Sequence, residues 1–251
     1  MDVSASQIDD DGVRLDLLDG FRLRCGQQDI ELPSNAQRVL ALLGLRHMLD
    51  RSTTAGTLWP CGSQRRACAN LRSALWRING ILAGLIRSSH KQVALDPGIE
   101  VDVDRLVALA SLLHAGDRRH ASAGLLDLPV GELLPTWDDD WVLPERDRLR
   151  QVQLYALTDL ARLCMTSGDF GAAVDAAYRA LRLDALREST YRVLVQTYVE
   201  AGDYAEALRC FDSYRRMLSA ELSVAPSPQM LEIVTAIPRL PRGMNAAVTM
   251  A

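Results

Sequence analysis

Several features that mark common protein classes are missing from this 251-residue sequence. No apolar run approaches the ~20 residues that a transmembrane helix needs, and the acidic first twelve residues lack the apolar core of a secretory signal. The five cysteines form no C-x-x-C pair and are odd in number, which favours reduced thiols over a disulfide framework. These absences predict a globular, cytoplasmic protein with no membrane partner.

Motifs of catalysis and nucleotide binding are absent as well. The sequence contains no G-x-S-x-G, no H-E-x-x-H and no G-x-x-x-x-G-K-[ST]. His114 and His120 flank the segment AGDRR, but their spacing matches no common metal site, and exposed histidines at helix ends are the favoured interpretation. We therefore expect a protein that is not an enzyme and has no cofactor and no metal.

The sequence has almost no lysine, and its net positive charge is concentrated in one segment of the chain. Lys91 is the only lysine among 28 basic residues, and this bias, with abundant alanine and leucine, indicates a GC-rich genome rather than selection for arginine chemistry. Residues 34–95 nevertheless contain nine basic residues and a single acid, Asp50, in a chain whose formal net charge is −4. This asymmetry predicts a basic module that meets a polyanion, followed by an acidic module that does not.

The first part of the chain predicts strands, three helices and a hairpin, in that order. Alternating polar and apolar residues predict two or three short antiparallel strands within residues 13–32. A first helix opens at Ser34, a second, short helix ends at Trp59, and a third is expected at about Ser63–Leu82. A hairpin follows around residues 88–91, which completes the plan of a winged helix-turn-helix. The apolar face of the first helix comprises Val39, Leu40, Leu43 and Met48.

The third predicted helix carries positive charge opposite an apolar face. Projected at ~100° per residue, the inward face comprises Ala67, Leu71, Ala74, Leu75, Ile78 and Leu82. The outward face comprises Arg65, Arg66, Ala69, Ser73, Trp76 and Arg77, with Asn70 and Arg72 on its flanks. Such a helix fits the DNA major groove, where arginine pairs with guanine and asparagine with adenine. The alternative is an amphipathic helix whose charged face is only solvated.

Three features of the sequence have more than one interpretation. Trp76 lies on the charged face, and cover by the acidic helical module is favoured over packing on sugar and phosphate. Cys61 and Cys68 flank the first turn of the third helix, where a structural role as small residues is favoured over a role as a thiol sensor. In the segment 137–141 three aspartates separate two tryptophans, and a helix cap with indoles packed into the helical module is favoured over a cation site.

From Val101 onward the sequence pattern is helical and repeats itself. Helices are expected from Asp102 to Gly116 and from Arg118 to Leu126. Gly168-Asp169 and Gly202-Asp203 are 34 residues apart, which is the period of tetratricopeptide repeats. Small residues at matching positions permit close helix packing, and neighbouring helix pairs then bury each other's apolar faces. The matching pairs at this offset are Leu160 with Leu194, Ala173 with Ala207, and Ala177 with Phe211.

Two separate stretches resemble one known family. The segment LWPCGSQRRACANLRSALWRI, with the later DPGIEVDVDRL, resembles the DNA-binding half of the Streptomyces antibiotic regulatory protein (SARP) family. The segment LRLDALRESTYRVLVQTYVEAGDYAEALRCFDSYRRMLSAELSVAPSPQMLEIV resembles that family's bacterial transcriptional activation domain (BTAD). The chain departs from the family pattern at Ala185, where proline is usual, and at Ser223, where glycine is usual, so local turn geometry is in question there.

The resemblance implies a mostly α fold with a small β component. An OmpR-like winged helix-turn-helix domain is expected at residues 13–97 and a TPR-like all-α domain at 101–237, with residues 1–12 and 238–251 disordered. It further implies a transcriptional activator that binds direct repeats in promoter DNA as two side-by-side protomers, or as a homodimer, and contacts RNA polymerase. By position the recognition helix is Gln64–Gly80 and the wing is about Arg87–Gln92.

We therefore predict a sequence-specific DNA-binding activator located at the nucleoid. The recognition-helix residues expected to approach DNA are Arg65, Arg66, Asn70, Arg72, Ser73 and Arg77. The residues expected at phosphate or on the wing are Arg51, Arg87, His90 and Lys91. Two alternatives stay open: a TPR-type adaptor or ligand-binding scaffold without specific DNA binding, and a ligand-gated repressor.

Overall fold

The structure is a computed structural model that describes residues 12–116 and 128–238. Helices dominate and strands form two small sheets, which confirms the predicted fold class. None of the helices in the described ranges is long and apolar enough to cross a bilayer. The helix predicted at 118–126 lies outside the described residues, as do the end segments predicted to be disordered apart from Gly12 and Pro238.

Backbone contacts divide the chain into two compact units. The N-terminal unit contains Met1–Leu109 and Leu128–Val152, and the C-terminal unit contains Ala110–Asp127 and Gln153–Ala251. The domain boundaries that the sequence predicts, 13–97 and 101–237, stay a prediction, and the two compact units have different boundaries. The physical reason lies in residues 128–152, which hydrogen-bond to residues 17–19, directly after the first strand.

The first sheet of the N-terminal unit contains the three strands expected near its start and one more. These are β1 (Val13–Asp16), β2 (Arg22–Cys25), β3 (Gln28–Asp29) and β7 (Glu100–Val101), in the order β3-β2-β1-β7. Strand β7 runs parallel to β1, and the other pairs are antiparallel. Leu15 and Leu23 are paired across β1 and β2 and are buried, so one face of this sheet packs on the core.

Residues 128–152 extend the N-terminal unit. Leu133 forms a β-bridge with Leu18, the Leu134 N–H donates to Leu17 O at 3.0 Å, and the Asp19 N–H donates to Glu132 O at 2.7 Å. The Trp137 ring stacks on Phe21 with centroids 6.2 Å apart, and Trp141 meets Trp137 edge-on. The expectation that these indoles pack into the helical module is therefore wrong for Trp137, because its aromatic partner Phe21 follows β1.

The three predicted helices and the hairpin are all present. They are α1 (Ser34–Arg46), α2 (Arg51–Leu58) and α3 (Gln64–Ile81), followed by β5 (Ile86–Ser88) and β6 (Gln92–Leu95). An additional strand, β4 (Met48–Asp50), pairs with β6 and gives a three-stranded sheet of order β4-β6-β5.

Met48 is not on the apolar face of the first helix, so that prediction is wrong. Helix α1 ends at Arg46, and His47 takes a positive φ of 58° with its N–H bonded to Leu43 O. Met48 then enters β4 opposite Ala94 and is 56% exposed. The strand pairing with β6 ends the helix two residues before Met48, the last residue of the predicted apolar face.

The C-terminal unit repeats a helix-turn-helix pattern, as predicted. Its helices are the later part of α5 (Val142–Thr166), then α6 (Phe170–Leu183), α7 (Glu188–Glu200), α8 (Tyr204–Leu222) and α9 (Pro228–Thr235); helix α4 (Asp102–His114) precedes them. Gly168 and Gly202 take the left-handed backbone at φ 82° and 78°. Asp169 and Asp203 then cap α6 and α8 in the same way. The pairs predicted from the 34-residue offset are buried: Leu160, Leu194, Ala173, Ala207, Ala177 and Phe211.

Candidate nucleic-acid interface

Helix α3 is anchored by its apolar face, as the periodicity predicts. It begins at a serine cap, where Ser63 Oγ accepts the N–H of Arg66 at 3.4 Å, and it packs on α1 and α2. Every residue of the predicted inward face is buried: Ala67, Leu71, Ala74, Leu75, Ile78 and Leu82. The opposite face is therefore the one available to a partner.

The outward face of α3 carries positive charge that none of the described acids neutralises. Arg65, Arg66, Arg72 and Arg77 are exposed, and within residues 12–116 and 128–238 their guanidinium groups have no hydrogen-bond or ion-pair partner. Ser73 is exposed beside them, while Asn70 and Ala69 are half-buried. Since free cations without internal partners attract anions, this face can hold a polyanion.

The other basic side chains of residues 34–95 are mostly paired inside the N-terminal unit. Arg38 forms an ion pair with Asp139, and its guanidinium also donates to Leu58 O at 2.8 Å. Arg46 lies 2.5 Å from a carboxylate oxygen of Glu145, whose side chain is 8% exposed. These acids lie about a hundred residues further along the chain, so sequence reasoning overstated the free positive charge of the segment. The uncompensated charge is concentrated on α3 and the tip of the β5–β6 hairpin.

Arg87 is a weaker candidate for phosphate binding than the sequence suggests. Its Nε donates to the Asp96 carboxylate at 2.7 Å, across the base of the hairpin. The backbone N–H of Gly98 and the Arg87 guanidinium lower the pKa of Asp96, so the carboxylate stays charged and compensates the arginine. The D-P-G turn after β6 is the signal that could have predicted this acid close to Arg87.

Arg51 holds the wing in place. Its Nη1 donates to Ser88 Oγ at 2.6 Å and to Ser89 O at 3.3 Å, and its backbone N–H donates to Lys91 O at 2.8 Å. These bonds tie the first turn of α2 to the β5–β6 hairpin. Arg51, which the sequence predicts to contact phosphate, therefore also fixes the position of the hairpin tip.

The hairpin tip, α2 and α3 enclose a groove of about 490 Å³. Arg51, Arg72, His90 and Lys91 line it together with one acid, Asp50. Residues that are some 40 positions apart in the sequence meet here, because β4 pairs with β6 beside the start of α2. The groove therefore brings two of the predicted phosphate contacts, His90 and Lys91, next to the recognition helix.

The three ambiguous features of the sequence have definite places in the structure. Trp76 is 77% exposed, and its cover by the helical module stays a prediction. Cys61 is exposed and Cys68 is half-buried in the wall of the groove, and both are free thiols. No group of three or more His, Cys, Asp or Glu in the described part of the chain could hold a metal ion.

Comparison with known proteins identifies relatives of both units. Residues 101–237, more than half of the chain, match the family described as BTAD, bacterial transcriptional activator domain. The regulatory protein AfsR of Streptomyces coelicolor is 30% identical over 209 residues, which cover 78% of this chain and 21% of AfsR. AfsR of Streptomyces griseus is 28% identical over 238 residues, which cover 89% of this chain and 24% of that protein. The chain thus spans about a fifth to a quarter of the length of these relatives.

A solved structure has the same fold over most of the chain. It is Mycobacterium tuberculosis EmbR in complex with a low-affinity phosphopeptide, with a TM-score of 0.73 and 19% identity. The likeness covers 91% of this chain and 65% of that one. At this level of identity the comparison shows the fold alone, and the fold is the predicted one.

Proposed function

We propose that this chain, which belongs to the bacterial transcriptional activator domain family and is a SARP-type transcriptional regulator, activates transcription by binding promoter DNA. Helix α3 enters the major groove, which admits an α-helix. Lys91 and His90 at the hairpin tip contact the phosphate backbone, and Arg51 and Arg72 line the groove between the hairpin and α3. The protein is then located at the nucleoid.

The unpaired guanidinium groups on α3 carry this proposal. A basic helix whose arginines were used in internal ion pairs would gain little from a polyanion, since each pair would first have to break. Arg65, Arg66, Arg72 and Arg77 have no such pairs among the described residues. Each phosphate that they neutralise releases a condensed counterion, which favours binding at low salt.

A binding assay with duplex DNA from upstream of the protein's own coding sequence tests the proposal. Arg66→Ala and Arg77→Ala should each weaken binding and make the slope of log K against log salt shallower by about one unit, because each guanidinium group neutralises a phosphate. Arg209→Ala is the matched control, because this exposed arginine of α8 pairs with Glu206 in the C-terminal unit and should leave binding unchanged. Unchanged binding in both α3 variants would refute this placement of the helix, and the absence of any site-specific complex would favour the TPR-type adaptor.

The proposal extends to the arrangement on the promoter. We expect two protomers side by side on direct repeats, with RNA polymerase as the protein partner. A footprint with and without RNA polymerase tests this arrangement. Protection of two repeats that extends towards the promoter when polymerase is added supports activation by recruitment, whereas protection that excludes polymerase supports repression.

A further inference from the structure

The outward face of α3 has a neutral centre and charged edges. Relative to the buried residues, a projection at ~100° per residue divides this face into three strips. The central strip contains Ala69, Ser73, Trp76 and Gly80, one edge contains Arg65 and Arg72, and the other edge contains Arg66 and Arg77. Three members of the central strip are small and the fourth is a tryptophan that is 77% exposed. The large apolar side chain thus stands alone between two rows of cations.

This arrangement matches the cross-section of the DNA major groove. The groove is about 12 Å wide and an α-helix with its side chains is about 10–12 Å in diameter. A helix lying in it therefore presents its central strip to the base edges and its two edges to the two phosphate backbones. The small side chains beside Trp76 allow the helix to approach the groove floor closely.

On the basis of the proposed DNA binding, we infer that Trp76 reads the base sequence by packing its indole on the C5-methyl group of a thymine. The four arginines on the edges of α3 position the helix on phosphates and carry little sequence information. The occupant is a nucleic-acid duplex rather than an acidic protein surface, because the cations flank the indole on both sides, as two backbones flank the groove. Apolar contact is how proteins recognise the thymine methyl group.

The test compares duplexes that contain the binding site with duplexes in which single thymines are replaced by deoxyuracil, which lacks the methyl group. The wild-type protein should bind at least one substituted duplex several-fold more weakly. Trp76→Ala should bind the unsubstituted site about tenfold more weakly and should be indifferent to that substitution. Trp76→Phe should keep part of the discrimination. Leu231→Ala, at a 44% exposed apolar residue of α9, is the control and should behave as wild type.

Salt dependence separates the two kinds of contact. Trp76→Ala should leave the slope of log K against log salt unchanged, whereas Arg66→Ala should make the slope shallower by about one unit and keep the sensitivity to the missing methyl group. Wild-type affinity in Trp76→Ala, or the same deoxyuracil sensitivity as wild type, would overturn the inference and leave the proposed function standing. No specific complex of the wild-type protein would overturn both.

Discussion

A single carboxylate, Asp102, fixes the start of α4 against the first sheet. Its oxygens accept the backbone N–H groups of Leu17, Leu18 and Val103 at 2.8–3.0 Å. Burial raises the pKa of Asp102 to about 6, although the N–H groups of Leu18 and Leu17 lower it. The sequence predicted a helix cap at this position, but the bonds to the chain after β1 depend on the fold.

The pKa of Asp102 makes the stability of the N-terminal unit depend on pH. An unfolded aspartate has a pKa of about 3.9, so between about pH 4 and pH 6 the folded state binds more protons than the unfolded state. The stabilisation is complete below pH 4 and is lost as the pH rises to about 6. The free energy of unfolding of wild type relative to Asp102→Asn should therefore fall by about 2 kcal/mol between pH 4 and pH 6.5.

Urea unfolding at a series of pH values measures this difference. The variant should be less stable throughout, because an amide oxygen replaces two carboxylate oxygens as acceptor, so only the slope with pH is diagnostic. Asp29→Asn, at an exposed aspartate of β3, is the control. A difference between wild type and Asp102→Asn that does not change with pH would contradict the prediction.

At the scale of the element, the turn at the end of α8 keeps its backbone geometry although its sequence departs from the family pattern. Ser223 stands where the family usually has glycine, and it takes the left-handed conformation with φ 55° and ψ 34°. Its N–H bonds to Ser219 O at 3.1 Å and closes the helix. The turn geometry that the sequence left in question is therefore retained, in a conformation that is strained for a residue with a Cβ atom.

Ser223→Gly should stabilise the protein, because glycine takes the left-handed conformation without steric cost. The free energy of unfolding should rise by about 0.5–1 kcal/mol. Gly202→Ala is the matched opposite, since Gly202 has a φ of 78° and the variant should lose about 1 kcal/mol. Thermal and urea unfolding measure both changes. Destabilisation by Ser223→Gly would contradict the assignment of strain to this residue.

At the scale of the whole molecule, unpaired positive charge is concentrated on α3 and the hairpin tip of an acidic chain. The formal net charge is −4, yet α3 and the hairpin tip present cations that have no partners among the described residues. Four arginines of α3 and Lys91 make up this set. If all five contact phosphates, the slope of log K against log salt should be about −4 to −5 for each bound protomer.

Two basic residues of the hairpin, Lys91 and Arg87, give a matched test of this number of phosphate contacts. Lys91→Ala should make the salt slope shallower by about one unit, because its ammonium group is free to neutralise a phosphate. Arg87→Ala should leave the slope nearly unchanged, because Asp96 already compensates the guanidinium charge. Binding isotherms between 50 and about 300 mM salt distinguish the two variants. Equal changes in slope would show that the Arg87–Asp96 pair opens on DNA.

The sequence by itself determined the features that repeat over short distances. The apolar face of α3 and the 34-residue offset of the C-terminal unit were predictable, because the spacing of residue types along the chain shows both helical periodicity and repeat length. Tertiary structure alone decided which cations stay free. The charges of Arg38 and Arg46 are compensated by Asp139 and Glu145, and Met48 lies in a strand paired with β6 rather than in the helix. Ion pairs and strand pairing join residues that are distant in the chain, so only folding brings them within reach.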